Sequence, residues 1–257
     1  MIIMLLAVDI GNTNITLGAF EGEELAFTAR IATDRTLTCD QYMVQFRSIF
    51  DLYGVQGSSF DGAIISSVVP PLTAYIHTAI NRLSGIDALI VGPGVKTGLN
   101  ILIDNPAQLG ADLVAVSVAA LAKYPLPNVV CDLGTASTIT VLDGKGNMVG
   151  GVIYPGVRTS LDALVDKTSL LQLISLEAPA HVIGRNTIEC MQSGVIFGAA
   201  SLLDGVIARI EKELGEPVTA IATGGLSLSV IEHCERKFEY SDNLILEGLR
   251  IIYGKNR

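Results

Sequence analysis

Two aspartates occupy nearly the same phrase in this chain. Asp9 ends an apolar run and opens "DIGNTN", and Asp132 ends another and opens "DLGTAS". In each, an apolar residue, a glycine and small polar residues follow, and an alternating run then resumes. Gly11 would let backbone N–H groups approach an anion closely, while Asn12, Thr13 and Asn14 add side-chain donors. A carboxylate at the end of a buried strand is costly to ionise unless a cation or a row of donors meets it. In a phosphate site that cation is usually magnesium, held by one or two carboxylates and by phosphate oxygens. The second copy offers an equivalent hairpin in Asp132, Gly134, Thr135, Ala136, Ser137 and Thr138. A single Asp-x-Gly phrase is most often an ordinary turn. Two copies in a repeated order of strands favour facing hairpins that clamp a polyphosphate.

Three further features bear on chemistry. Asp112 in "GADLVA" starts a largely apolar helix, where an acid either caps the N-terminus or points into a cleft to accept a proton. Local pattern alone favours the cap. "TGG" at residues 223–225 and "GGVIYPG" at residues 150–156 either bring backbone to a ligand or make tight corners. The four cysteines and three histidines are scattered without ligand-like spacing, so neither a zinc site nor a disulfide framework is indicated.

The elements that must position these residues repeat as well. "MLLAVDI", "NITLGAF" and "ELAFTARIAT" read as an antiparallel meander. "TCDQYMVQFRSIFDLYGV" reads as a helix opened by Thr38 or Asp40 and closed at Gly54, "DGAIISSVVPP" as a buried strand, "LTAYIHTAINRLSG" as a helix and "DALIVGPG" as a strand. The first half is therefore βββαβαβ. In the second half "NVVCDLG", "ASTITVLDG" and "NMVGGVIYPG" are strands, "SGVIFGAASLLDGVIARIEKELG" a long helix, "VTAIATGG" a strand and "DNLILEGLRIIY" a closing helix. "AQLGADLVAVSVAALAKYP" forms a helix between the halves. Two α/β domains are expected, residues 1–107 and 108–257, with the ligand in a cleft between their first hairpins.

Composition narrows the partner. The chain has 257 residues, 49% of them hydrophobic, and a mean hydropathy of +0.49. Even so, no unbroken apolar run of membrane-crossing length is read: "LVAVSVAALA" stops at Lys123. "MIIMLLAV" reaches Asp9 too early for a signal peptide and reads as a buried first strand. A net charge of −9 without clusters of Lys or Arg argues against nucleic acid and against an anionic membrane surface. A small-molecule partner fits, and free thiols point to the cytoplasm.

Segment by segment, the chain resembles the type III pantothenate kinases of the actin/hexokinase-like superfamily. "DIGNTNITLGAF", "ARIATDRTLTCDQY", "SSVVPPLT", "KTGLNILIDNPAQLGAD", "DLGTASTITVLD", "GGVIYPG", "IGRNTIECMQSG", "ATGG" and "DNLILEGLRIIY" are similar to that family's segments, in its order and at its spacing. The resemblance implies a duplicated α/β fold of the ribonuclease H-like kind. It also implies transfer of the ATP γ-phosphoryl group to the primary hydroxyl of pantothenate, the first step toward coenzyme A. By residue, it implies that Asp9, Ile10, Gly11, Asn12, Thr13, Asn14, Ile15 and Thr16 hold the ATP phosphates and magnesium, and that Thr135 contacts ATP. Asp132 would bind a monovalent cation, potassium or ammonium, and Asp112 would be the general base. Gly110, Ala111, Asp112, Leu113 and Ile103 would frame pantothenate, with Thr187 reaching it across a homodimer interface.

Two positions depart from the family's pattern. Leu113 stands where the family usually has Arg after the catalytic Asp, and Ile103 where it usually has Tyr before "DNP". Neither side chain can donate a hydrogen bond or pair with a carboxylate. A kinase of the same fold for another small hydroxylated acceptor, or a catalytically weak ATP-binding paralogue, is the alternative reading.

Overall fold

The computed structural model describes residues 4–257, so Met1, Ile2 and Ile3 of the first apolar run lie outside the described residues. The described chain forms two contact units. Unit 1 takes residues 4–99, Asn105–Ala119 and Leu244–Arg257; unit 2 takes Asn100–Asp104 and Ala120–Asn243.

Unit 1 is built on the strands β1 (Met4–Ile10), β2 (Asn14–Glu21), β3 (Glu24–Ala32), β4 (Phe60–Ser67) and β5 (Leu89–Ile90), ordered β3-β2-β1-β4-β5. The first three are antiparallel neighbours, and β4 and β5 continue the sheet in parallel. Alternation decides the faces. Val8, Ile10, Ile15 and Leu17 turn toward helices α1 (Cys39–Leu52) and α2 (Pro70–Ser84), and form a core with Tyr42, Phe46, Leu72 and Ile76. Thr38 and Gln41 close a reciprocal capping box at the start of α1, and Gly85, at φ 76°, ends α2.

The helix α7 (Leu244–Lys255) covers the opposite face, packing on β1, β2 and β4. Glycines allow that approach. A side chain at Gly18 would meet Leu246, and one at Gly62 would meet the Tyr253 ring. Gly248 rests on the Ala115 carbonyl of α3 (Ala111–Lys123) with no room for a Cβ. The segment read as closing the second half of the chain therefore completes the first unit. The helix α3 passes from one unit to the other after Ala119, so a single cut after residue 107 does not describe the contact units.

Unit 2 contains β6 (Asn100–Ile101), β7 (Asn128–Leu133), β8 (Ala136–Leu142), β9 (Asn147–Pro155), β10 (Thr219–Thr223) and β11 (Glu239–Tyr240), ordered β11-β10-β7-β8-β9-β6. Strands β9, β8, β7, β10 and β11 repeat the arrangement of β3, β2, β1, β4 and β5, antiparallel on one side of the central strand and parallel on the other. The repeated phrase thus reflects a repeated sheet. Helices α4 (Val157–Asp166), α5 (Thr187–Leu214) and α6 (Ser227–Ile231) are the remaining elements. The helix α4 follows "GGVIYPG" directly and was not expected. The helix α5 begins at Thr187 rather than Ser193, because the Asn186 side chain accepts the Glu189 N–H and sets the cap earlier.

By length and composition α5 could cross a membrane, contrary to the sequence reading that no such span exists. One stripe of it packs into the core of unit 2. Ile196, Ala200, Leu203 and Ile207 join Val129, Cys131 and Ile139 of the sheet, while Asp204 accepts the backbone N–H groups of Glu235 and Arg236 at 2.8 and 3.2 Å.

The α3–α7 contact can be tested with two glycines of one helix. Gly248→Ala is expected to destabilise the protein by about 1–3 kcal/mol, since the Ala115 backbone cannot give way cheaply. Gly254→Ala, with open space around it, should be neutral or stabilising by up to about 1 kcal/mol. Urea unfolding midpoints separate the two, and equal midpoints would contradict the tight crossing.

Candidate active site

In unit 1 the register places Asp9 opposite Thr16 of β2 and beside Ser66 of β4. Val8 and Ile10 face the core, so Asp9 stands on the other face of the sheet. Ser66 is fully buried, and its hydroxyl has no hydrogen-bond partner among the described residues. The strand then turns through Gly11, whose N–H donates to the Asn14 carbonyl at 3.0 Å. A Cβ at Gly11 would lie 3.0 Å from that same oxygen, so the turn fits glycine closely. Asn12, Thr13 and Asn14 are exposed at the tip. Ile10 and Ile15 bury their side chains completely; anything they offer a ligand comes from backbone.

Asp112 belongs to the same unit. Gly110 approaches Val68, and the Val68 N–H donates to the Ile10 carbonyl at 3.0 Å, which sets the first turn of α3 beside the end of β1. A side chain at position 110 would strike the Asp112 carboxylate. Asp112 Oδ1 accepts the Leu113 N–H at 2.8 Å. Burial pushes its carboxyl above the ordinary value, and the backbone hydrogen bonds of Leu113 and Asp112 only partly offset this. The sequence left open whether this acid caps the helix or serves as a base. The structure makes it a half-buried acid within the first turn, bonded to the next amide. Ala111 and Leu113 flank it, also half-buried.

In unit 2 Asp132 pairs in register with Thr138 of β8 and Thr223 of β10, the counterparts of Thr16 and Ser66. The Thr138 hydroxyl is buried without a hydrogen-bond partner among the described residues. Here the two glycine motifs gain a function as supports. A Cβ at Gly224, which has φ 97°, would come within 2.6 Å of Asp132 Oδ1 and 2.9 Å of the Leu133 nitrogen. Gly156 lies against the carbonyls of Gly134 and Thr135, and its N–H donates to the Thr135 carbonyl at 3.1 Å. Thr159 Oγ1 reaches the same carbonyl at 2.7 Å, leaving Thr135 exposed at the tip. Both motifs are close corners packed against the second hairpin.

The model of the type III pantothenate kinase family matches residues 5–209. The chain belongs to the type III pantothenate kinase family. A type III pantothenate kinase of an Exiguobacterium species is 43% identical over 254 residues, covering 99% of this chain and 100% of that one. Its counterpart in Myxococcus xanthus is 41% identical over 253 residues, covering 98% and 99%. Among solved structures, component A of the (R)-2-hydroxyglutaryl-CoA dehydratase of Acidaminococcus fermentans superposes with a TM-score of 0.58 at 13% identity, over 98% of this chain and 97% of that one. The fold is the duplicated actin/hexokinase-like α/β fold.

For this family member, the structure gathers Asp9 to Thr16, Gly110, Ala111, Asp112 and Leu113 in unit 1, and Ile103, Asp132, Thr135 and Thr187 in unit 2. Ile103 is half-buried just beyond β6. Thr187 opens α5 on the rim of a groove of about 710 Å³, lined also by Tyr154, Val157, Leu164, Met191 and Val195. Ser66 escaped the sequence reading, and Thr223 was noticed only as part of "TGG", because only strand register shows them beside the aspartates. Gly156 and Gly224 lay in motifs that were noticed, but their partners are distant in sequence.

The Asp112 environment has a measurable signature. A carboxyl raised in the fold costs stability once ionised, and that cost is absent below the unfolded pKa, about 3.9. Asp112→Asn should therefore melt higher than wild type at neutral pH, with the gap closing as pH falls toward 4. A variant that melts lower across the whole range would refute the burial account.

Proposed function

We propose that this protein phosphorylates pantothenate with ATP, giving 4′-phosphopantothenate and ADP, the first step of coenzyme A synthesis. The observation that carries the reading is the full-length likeness to type III pantothenate kinases, 43% identity with 99% of the chain covered. Asp112 gives it chemistry. Phosphoryl transfer asks little of a protein beyond placement and charge neutralisation, and a carboxylate near the acceptor oxygen suffices as base. The pantothenate hydroxyl oxygen bonds to the γ-phosphorus, the bond from that phosphorus to the β,γ-bridging oxygen breaks, and the hydroxyl proton passes to Asp112. Burial makes this carboxylate a stronger base than an exposed one.

The first hairpin, Asp9 to Thr16, holds the ATP phosphates in this reading, through side chains at Asn12, Thr13, Asn14 and Thr16 on a turn shaped by Ile10, Gly11 and Ile15. Asp9, with Thr16 and the unpartnered Ser66 hydroxyl beside it, forms an all-oxygen set of the kind magnesium takes, and magnesium bound there neutralises phosphate charge. Asp132 with Thr138 and Thr223 is likewise an oxygen set that suits potassium or ammonium. Thr135, exposed at its hairpin tip, contacts ATP.

On the acceptor side, Gly110, Ala111, Leu113 and Ile103 frame pantothenate, and the apolar Leu113 and Ile103 leave its carboxylate to other groups. Thr187 acts from a second copy. A homodimer is supported by the groove at the head of α5 and by exposed apolar residues near it, including Leu170 and Ile188. The protein's four cysteines are free thiols, in keeping with a cytoplasmic enzyme.

The decisive assay follows ADP release and phosphopantothenate formation with ATP, magnesium and potassium. Asp112→Asn should lower kcat by about 10²–10⁴-fold while the KM for ATP stays within about threefold. The acid limb of the wild-type pH–rate profile should lie above the ordinary Asp value of about 3.9, because the base works only when ionised. Pantothenate-dependent turnover within tenfold of wild type in Asp112→Asn would sink the assignment of the base. No pantothenate-dependent turnover in wild type would sink the substrate.

A further inference from the structure

Arg35 stands beside the tip of the first hairpin. Its Nη2 donates to Asn12 Oδ1 at 2.9 Å, and among the described residues it makes no ion pair. The adjacent carboxylate is engaged elsewhere: Asp34 Oδ1 accepts the Thr36 N–H at 2.8 Å and the Thr36 hydroxyl at 2.6 Å. The loop that carries Arg35 is tied down on both sides. Thr33 donates its N–H to the Thr13 carbonyl at 2.9 Å and its hydroxyl to the Gly11 carbonyl at 2.7 Å. On the core side, the fully buried Tyr42 donates its hydroxyl to the Asp34 carbonyl at 2.7 Å and accepts the Asp34 N–H at 3.1 Å.

A guanidinium carries five N–H donors in a planar fork. One contact to a neutral amide leaves its charge uncompensated and most of those donors open. The hairpin beneath it exposes Asn12, Thr13 and Asn14, while "DIGNTNIT" itself contains no Lys or Arg. Asn12 holds the guanidinium at the tip of the Asp9 hairpin. We propose that Arg35 binds the phosphate chain of ATP at the Asp9 hairpin and supplies the positive charge that the hairpin's own residues lack. This rests on the reading of that hairpin as the phosphate site.

The test compares binding of ATP, with and without magnesium, and of adenosine to wild type, Arg35→Gln, Arg35→Lys and Asp9→Asn, beside steady-state kinetics. Arg35→Gln should weaken ATP binding and raise the KM for ATP about tenfold or more, the usual scale for a charged hydrogen bond. Adenosine affinity, the KM for pantothenate and the melting temperature should stay close to wild type, and Arg35→Lys should recover part of the loss. A KM for ATP within twofold of wild type in Arg35→Gln, or an equal loss for ATP and adenosine, overturns the proposal. Asp9→Asn checks the underlying reading, since it should abolish the magnesium dependence of ATP binding. If that dependence persists, the hairpin is not the phosphate site and the proposal falls with it. If it is lost while Arg35→Gln binds ATP like wild type, the role of Arg35 alone is refuted.

Discussion

Asp9 and Asp132 each stand near the end of a central strand whose other residues are largely buried, and a charge in such a place must be met by whatever lies beside it. In both units the register puts hydroxyl residues there: Thr16 and Ser66 around Asp9, Thr138 and Thr223 around Asp132. Hydroxyls can orient a carboxylate or share a cation with it, but they cannot neutralise it. The same sheet position, built twice, therefore carries the same carboxylate and hydroxyl set, which the proposed function uses for ions and phosphate. The central strand has to be apolar to hold the sheet together, and its terminal carboxylate is the polar exception in each unit.

The two hairpins meet that demand with different supports. The first is held by hydrogen bonds from a neighbouring loop, where Thr33 donates to the carbonyls of Gly11 and Thr13. The second is held by backbone approach, with Gly156 and Gly224 packed where no side chain fits. A turn tethered by hydrogen bonds from outside exposes the amide and hydroxyl side chains at its tip. A turn wedged between glycines presents mainly backbone and one exposed threonine. The two hairpins, proposed to serve phosphates at the first and a cation with ATP at the second, therefore differ in construction although their phrases match.

Much of this was legible in the sequence because the informative signals were local. Alternation marked the strands, the capping residues Thr38 and Gly85 bounded their helices, and the doubled Asp-x-Gly phrase announced the doubled sheet. What stayed hidden depended on contacts between distant residues. The side of the sheet that α7 covers is set by Gly18, Gly62 and Gly248, whose partners lie up to an entire unit away in sequence. No local pattern distinguishes a helix that closes the second repeat from one that completes the first. The helix α4 was missed because "VRTSLDALVD" is short and opens after Gly156, which offers no side-chain cap. The true start of α5 was missed because Asn186, a competent cap, precedes a stretch with weak periodicity.

Asp112 shows how burial and reactivity are coupled. Desolvation is the largest influence on its carboxyl, and backbone hydrogen bonds oppose it; no charged neighbour is among the causes of its shift. An arginine at position 113 would stabilise the ionised form and weaken the base, whereas Leu113 leaves the carboxylate supported only by amides at the start of α3. If Asp112 is the proposed base, a leucine at position 113 keeps it basic while offering nothing to the acceptor's own carboxylate. In the proposed reading, Leu113 keeps the surroundings of Asp112 apolar while Arg35 brings a guanidinium to the Asp9 hairpin, so fixed positive charge stands on the side where phosphate charge builds up during transfer.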